Sequence, residues 1–207
     1  MTNPQSKIDN RKSGATFEFV SGSVEETQAF GERLGRMLRP GDVVALYGEL
    51  GSGKTTLIQG LARGLGYDPE RIKSPTFVLM REYAGQTPLV HIDGYRLEGA
   101  PAVAWLDVEM IFASSKVTVI EWAERFTGLL PDDRLEVRLS HLSTNRRRIA
   151  LVPVGSHAEA LVTQLQLTNP TAVESKIQNP PARLLPEPGR ANSTISAMES
   201  DDADPGD

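Results

Sequence analysis

Gly48-Glu49-Leu50-Gly51-Ser52-Gly53-Lys54-Thr55-Thr56 is the stretch that decides how the chain is read. It fits G-x-x-x-x-G-K-[ST], and its flanks fit as well. The apolar run Val43-Val44-Ala45-Leu46-Tyr47 leads in as a buried strand, and Leu57, Leu61 and Leu65 lead out at helical spacing. Glycines permit the tight turn that aims successive backbone N–H groups at phosphate oxygens. A helix beginning near Thr55 adds its own unpaired N–H groups and the positive end of its dipole. In such a cradle Gly51, Ser52, Gly53, Lys54, Thr55 and Thr56 surround the phosphates of a nucleotide. Lys54 reaches the β- and γ-phosphates, and the Thr55 hydroxyl ligates Mg²⁺. A glycine-rich loop without function is the bland alternative, and the strand before and helix after count against it.

A chain of 207 residues has room for one domain with a sizeable core, plus tails. Cysteine is absent, which excludes disulfide frameworks and thiolate metal sites. No apolar run approaches the roughly 18 residues that span a bilayer, and residues 1–14 are polar, without an apolar signal core. A cytoplasmic protein with no membrane partner is the expectation. The net charge of −5 is unevenly spread: residues 168–207 hold seven acids against three bases, a net of −4, leaving −1 for residues 1–167. That nearly neutral remainder offers no broad electrostatic footprint for nucleic acid.

Residues 1–14 read as a disordered leader, 15–167 as the P-loop domain and 168–207 as a disordered acidic, proline-rich tail. Six of the fourteen prolines fall in that tail among Ser, Asn and acids, where apolar periodicity is lost. Thr16-Phe17-Glu18-Phe19-Val20 alternates as a strand. Ser23 precedes Glu26 by three, a capping box, and Val24, Phe30, Leu34 and Leu38 follow at helical spacing. Arg39-Pro40-Gly41 then turns into the strand before the loop, and Gly66 is the expected C-terminal stop of the next helix. Residues 77–80 and 89–92 are two strand-like runs around Ala84-Gly85-Gln86, a hairpin pattern. Residues 100–113 read as a helix, 117–120 as a short buried strand, 135–139 and 148–152 as a further hairpin, and 157–167 as a last helix. The fold expected is α/β: a three-layer P-loop NTPase-like arrangement with a mostly parallel sheet and antiparallel additions.

Two strand runs finish on a carboxylate, Asp93 and Glu121. Ligands in open parallel sheets lie beyond the carboxyl ends of strands, so both acids are candidates for a place beside the loop. Mg²⁺ takes oxygen ligands and keeps several waters, so one carboxylate, Thr55 and two phosphates suffice. Glu121 is the better direct or water-mediated metal partner, while Asp93 is suited to orient a water or the metal's hydration shell. A solvated turn acid is the plain alternative for each. Ser74-Pro75-Thr76 reads either as a switch sensing the γ-phosphate through the Thr76 hydroxyl or as a proline-rigidified turn. Trp122, next to Glu121, is either partly exposed for stacking or partner contact, or a half-buried core edge. His91 is read as a core or surface histidine, and His141 and His157 lack metal-ligand spacing. Arg146-Arg147-Arg148 is the densest basic run, read as a solvated strand entrance ahead of a phosphate or RNA contact.

With these residues together, the chain resembles the TsaE (YjeE) family. The resemblance rests on residues 48–56, on Ser74-Pro75-Thr76-Phe77, on His91-Ile92-Asp93-Gly94-Tyr95-Arg96-Leu97 and on Ile120-Glu121-Trp122, and it covers about residues 16–155. It implies a Mg²⁺-dependent ATPase that binds ATP/ADP, turns over weakly alone, and is stimulated by a TsaB–TsaD complex in making threonylcarbamoyladenosine in tRNA. The tRNA itself is then met indirectly. It further implies Lys54, Asp93 and Glu121 as functional positions, Thr76 as part of a switch-like loop, and Trp122 as an aromatic needed for activity. By position within the family, the adenine falls near Val24 and Asn145. Gly94 departs from the pattern, standing where the family commonly has Leu, and predicts a looser loop after Asp93.

Two other functions compete. A small-molecule kinase uses the same cradle but needs an acceptor pocket and often an arginine-bearing lid, and the run at Arg146 is not placed like one. A nucleotide-gated binding module needs no useful turnover. A GTPase is disfavoured, since no Asn/Thr-Lys-x-Asp base-reading motif occurs.

Overall fold

The computed structural model describes residues 16–97 and 107–168. The leader read over 1–14, almost all of the tail read from 168 onward, and much of the helix read over 100–113 lie outside those residues. Seven described strands and four α-helices follow one another as β1 (Phe17–Ser21), α1 (Val24–Gly35), β2 (Val43–Tyr47), α2 (Lys54–Gly64), β3 (Met80–Tyr83), β4 (Leu89–Asp93), α3 (Val108–Ile111), β5 (Val117–Glu121), β6 (Arg134–His141), β7 (Arg147–Val154) and α4 (Ser156–Leu167).

The strands form one sheet in the order β1-β7-β6-β2-β5-β4-β3. β6, β2, β5 and β4 are mutually parallel, while β7 and β3 run against their neighbours and β1 pairs antiparallel with β7. The expected parallel core with antiparallel additions is therefore what forms. β2 is central and buried along nearly its whole length, as a strand covered on both faces must be. One face, carrying Val44, Leu46, Val119, Val137 and Ile149, packs on α1, α2 and α4. The other, carrying Val43, Ala45, Val90, Ile92 and Ile120, is covered by shorter elements that supply Leu97, Ile111, Ala123 and Phe126.

The capping box forms as read: Ser23 Oγ accepts from the Glu26 N–H at 3.1 Å, and Glu26 Oε2 accepts from the Gly22 N–H at 2.6 Å. Helix α1 stops at Gly35, before Leu38. Its contact with α2 is unusually close. A Cβ built on Gly31 or Gly35 would lie 2.4 Å from Leu57 O and 2.0 Å from Leu61 O, and one on Gly60 would lie 2.1 Å from Gln28 O. Glycine is the residue that admits backbone at that distance. This crossing fixes the start of α2, and with it the loop above, against the sheet.

The hairpin around Ala84-Gly85-Gln86 exists, but its first strand begins at Met80, not at Phe77. Residues 76–79 instead form a turn in which the Val78 and Leu79 N–H groups donate to Pro75 O at 2.9 and 2.7 Å. Leu79 takes a φ of +68° to complete it. The cause lies further along the chain: Asp93 draws the Ser74 and Thr76 hydroxyls towards itself, so the chain bends over the strand tips before it can pair.

Candidate functional site

The glycine loop joins β2 to α2 at the carboxyl edge of the parallel strands. Gly53, the residue before α2, has a φ of +100°, and no side chain caps the helix. Its first turn contains no acid, so no side chain of the helix itself caps the N-terminal N–H groups that face the loop. A cavity of about 440 Å³ opens there. From the loop and α2 it is lined by Leu50, Gly51, Gly53, Lys54, Thr55 and Thr56, and from across by Thr76, Asp93, Glu121 and Trp122. The residues singled out from strand ends, loop and switch therefore meet around one space. A smaller cavity of about 290 Å³ lies at the opposite end of β2, against Asp42 and His157, away from all of them.

Glu121 is 3 % exposed and closes β5. The Thr55 hydroxyl donates to its Oε1 and Oε2 at 3.0 and 2.9 Å. His91 Nε2 lies 2.9 Å from Oε1 and donates there in the tautomer that this acceptor favours. In register Asp93 pairs with Glu121, so side-chain alternation puts His91, Asp93 and Glu121 on the α1–α2 face. Asp93, also 3 % exposed, accepts from the Ser74 and Thr76 hydroxyls at Oδ2 and from the Tyr95 N–H at 2.9 Å at Oδ1. The two hydroxyls lie 2.6 Å apart. They hold two protons between them for three contacts, so the cluster is tight but not saturated with donors.

Lys54 is 4 % exposed. Its Nζ donates to Gly48 O at 2.7 Å and Glu49 O at 3.0 Å and stands 3.9 Å from the centre of the Trp122 ring, within cation–π range. Burial pushes its pKa below the ordinary lysine value, while Glu121, Glu124 and Asp93 pull it back up. Trp122 is held in the left-handed region, φ +57°, a conformation that costs a non-glycine residue on the order of 1–3 kcal/mol. Tyr95 tilts against it, ring centres 5.2 Å apart.

Other residues of the sequence reading fall differently. Ser52 is wholly buried beneath the loop, its N–H donating to Glu49 O at 3.2 Å, so it closes the turn and its side chain does not line the cavity. Val24 and Asn145 sit exposed at the same sheet edge, on α1 and in the turn between β6 and β7, outside the cavity lining. Gly94 does not loosen its loop. A Cβ there would lie 2.7 Å from the Phe126 ring and 3.0 Å from Trp122 O, and the Gly94 N–H donates to Glu121 O at 3.0 Å. Missing the side chain lets the loop pack down, which corrects the looser loop expected.

Four side chains escaped the sequence reading. His91 binds Glu121, and the alternation of β4 could have indicated it, since His91 and Asp93 share a face. Ser74 reaches Asp93 beside Thr76, a partnership visible only once the turn is folded. Tyr95 backs Trp122. Arg147, read as part of a solvated basic run, is buried against the loop.

Fold and site together define a P-loop NTPase-like α/β protein. The family model described as "Threonylcarbamoyl adenosine biosynthesis protein TsaE" matches residues 21–149, and the chain belongs to the TsaE family. Similar proteins named tRNA threonylcarbamoyladenosine biosynthesis protein TsaE include that of Bacillus subtilis, 37% identical over 142 residues, covering 68% of this chain and 88% of the relative. That of Streptomyces coelicolor is 45% identical over 113 residues, covering 53% of this chain and 75% of the relative. The crystal structure of Bacillus subtilis YdiB superposes with a TM-score of 0.66 at 30% identity, covering 77% of this chain and 99% of that one. Among the described residues no helix is long and apolar enough to cross a membrane.

Proposed function

We propose that this chain binds ATP and ADP with Mg²⁺ in the glycine loop and hydrolyses ATP slowly by itself. In this reading it serves threonylcarbamoyladenosine formation in tRNA, stimulated by a TsaB–TsaD-type complex, and works in the cytoplasm. The observation that carries it is the Thr55 hydroxyl bonded to Glu121 at the mouth of an uncapped helix. A hydroxyl and a carboxylate are hard oxygen donors of the kind Mg²⁺ prefers. No described group of three His, Cys, Asp or Glu side chains could hold a metal alone, which suits an ion completed by phosphates and water. Bound there, Mg²⁺ would neutralise charge building on the transferring phosphoryl group.

The chain's own residues divide the remaining work. The backbone N–H of Gly51 and those from Gly53 to Thr56 grip the phosphates, and Lys54 leaves the Gly48 and Glu49 carbonyls to meet them. Thr55 and Glu121 would hold the metal, with His91 fixing the Glu121 carboxylate. Asp93, steadied by Ser74 and Thr76, orients the attacking water. Trp122, backed by Tyr95, shields Lys54, and this resting posture would keep turnover weak until a partner moves Trp122. Val24 and Asn145 lie on the flank where the base would extend. Phosphate release from ATP, measured with and without TsaB–TsaD and tRNA, tests the proposal. Stimulation by the pair is expected; label from radiolabelled ATP appearing on a metabolite instead of as free phosphate would favour the kinase reading, and release no faster than buffer would favour the binding module.

A further inference from the structure

Arg96 lies in the turn that follows β4 and is exposed. Its guanidinium carbon stands 4.2 Å from the centre of the Phe77 ring, within cation–π range. Among the described residues no carboxylate pairs with it. Phe77 is 81 % exposed, so its ring adds little to the core, yet it lines the cavity at the glycine loop. Both partners hang on Asp93. The Thr76 hydroxyl, one residue before Phe77, donates to Oδ2, and the Tyr95 N–H, one residue before Arg96, donates to Oδ1 at 2.9 Å. The Gly94 N–H ties the same turn to Glu121 O at 3.0 Å, and the Leu97 N–H closes it on Gly94 O at 2.9 Å. The backbone carrying Arg96 is thus fixed to both acids of the site, while its side chain rests on an exposed ring, where a cation is held only weakly.

Lys54 is the one cation among the described residues that line the cavity, and Asp93 and Glu121 line it too. A triphosphate brings more negative charge to the same place, and that charge spreads over the equatorial oxygens as the γ-phosphoryl group transfers. Fixed donors aimed at developing charge are worth far more in a site closed to water than in solvent. A guanidinium suits phosphoryl oxygens because its N–H groups form a planar fork. Arg96 carries such a fork, and it rests against a wall of the cavity beside Asp93.

We propose that Arg96 is a catalytic arginine of this site. Phe77 holds it off the reacting phosphate at rest, and displacement of Phe77 by the stimulating partner lets the guanidinium donate to the γ-phosphoryl oxygens. The inference rests on the ATPase reading above and adds the group that answers the charge of the transition state. In the step, the water oxygen bonds to the γ-phosphorus as the bond from that phosphorus to the bridging oxygen breaks. The electron pair leaves with ADP, and a water proton passes by way of Asp93 to solvent. Arg96 donates hydrogen bonds and gives up no proton. ADP lacks the transferring group, so its binding makes no use of Arg96.

The test compares full-length wild type, Arg96→Gln, Arg96→Lys, Phe77→Ala and the double variant Phe77→Ala/Arg96→Gln. Phosphate release from ATP is measured with and without the partner complex, beside binding of ADP alone and of ADP with aluminium fluoride, a mimic of the transferring phosphoryl group. An arginine in this role is worth about 10³-fold or more, so Arg96→Gln should lose nearly all of the stimulated release. It should also lose the extra affinity for ADP with aluminium fluoride while binding ADP as wild type does. Arg96→Lys, which keeps the charge without the fork, should recover part of both. Without the partner, Phe77→Ala should release phosphate severalfold faster than wild type, and the double variant should lose that gain. Full stimulation of Arg96→Gln, an equal loss of ADP binding, or a Phe77→Ala gain that survives in the double variant would overturn the assignment. A wild-type chain that neither binds nucleotide nor responds to the partner overturns the ATPase reading, and this one with it; a stimulated wild type beside an indifferent Arg96→Gln overturns this one alone.

Discussion

The Thr55 hydroxyl, at the first turn of α2, shares its proton between the two carboxylate oxygens of Glu121, at the tip of β5, at 3.0 and 2.9 Å. This joins the loop to the neighbouring strand and sets together the oxygens that, in the proposed function, would hold Mg²⁺. Glu121→Gln keeps a side chain of the same size but removes the charge. The apparent Mg²⁺ affinity, read from nucleotide binding titrated with the metal, should drop by about tenfold or more. Metal-free nucleotide binding should change little. Equal losses with and without Mg²⁺ would assign Glu121 to the fold alone.

Lys54→Ala removes the charge that the loop carbonyls now hold. A fluorescent ATP analogue should bind about 10- to 100-fold more weakly, in line with losing hydrogen bonds to a charged group; unchanged affinity refutes the assignment. The lowered pKa of Lys54 gives this a pH signature. Burial favours the neutral amine in the free protein, whereas a phosphate beside it favours the ammonium. The bound form therefore holds more protons, and affinity should fall as pH rises through the range below 10.5 in which free Lys54 deprotonates. Proton uptake on binding, measured by calorimetry in buffers of different ionisation heat, checks the sign.

Trp122→Ala should separate binding from turnover. The ring caps Lys54 at 3.9 Å, a contact worth about 0.5–2 kcal/mol, so its removal frees the amine and should leave ATP affinity equal or slightly higher. Partner-stimulated phosphate release should fall. If both quantities fall by the same factor, Trp122 acts as part of the core.

Gly35→Ala probes the frame beneath the site. Its Cβ would lie 2.0 Å from the Leu61 carbonyl oxygen, and backbone there cannot step aside as a side chain end can. Overpacking of this kind costs about 1–3 kcal/mol, readable in the midpoint of urea unfolding. Gly66→Ala is a useful contrast: a Cβ there meets nothing within 4 Å, and the cost comes from its φ of +91° alone.

Much of this is legible in the sequence itself, and the reason is period and punctuation. Strand β2, the loop and α2 are written in consecutive residues, so local rules suffice. Asp93 and Glu121 were legible because each ends an apolar run, and parallel strands bring such ends together. The turn at 76–79 was not, because Phe77-Val78-Leu79-Met80 has strand-like composition and bends only through hydroxyl contacts to Asp93, many residues on in the chain. Arg147 was hidden in the same way. A run of three arginines reads as a solvated face, and only the place of β7 between β6 and β1 buries the middle one. Gly31, Gly35 and Gly60 sit inside helical periods, where glycine looks like a mere weakness until the facing backbone is seen.

Calorimetric titration of the full chain with ATP, with and without Mg²⁺, for wild type beside Lys54→Ala, addresses the nucleotide cradle most directly. Saturable binding at one site, tighter with the metal and weakened in the variant, is the predicted result. Absence of ATP binding by the wild type, or the same affinity in Lys54→Ala, would contradict it.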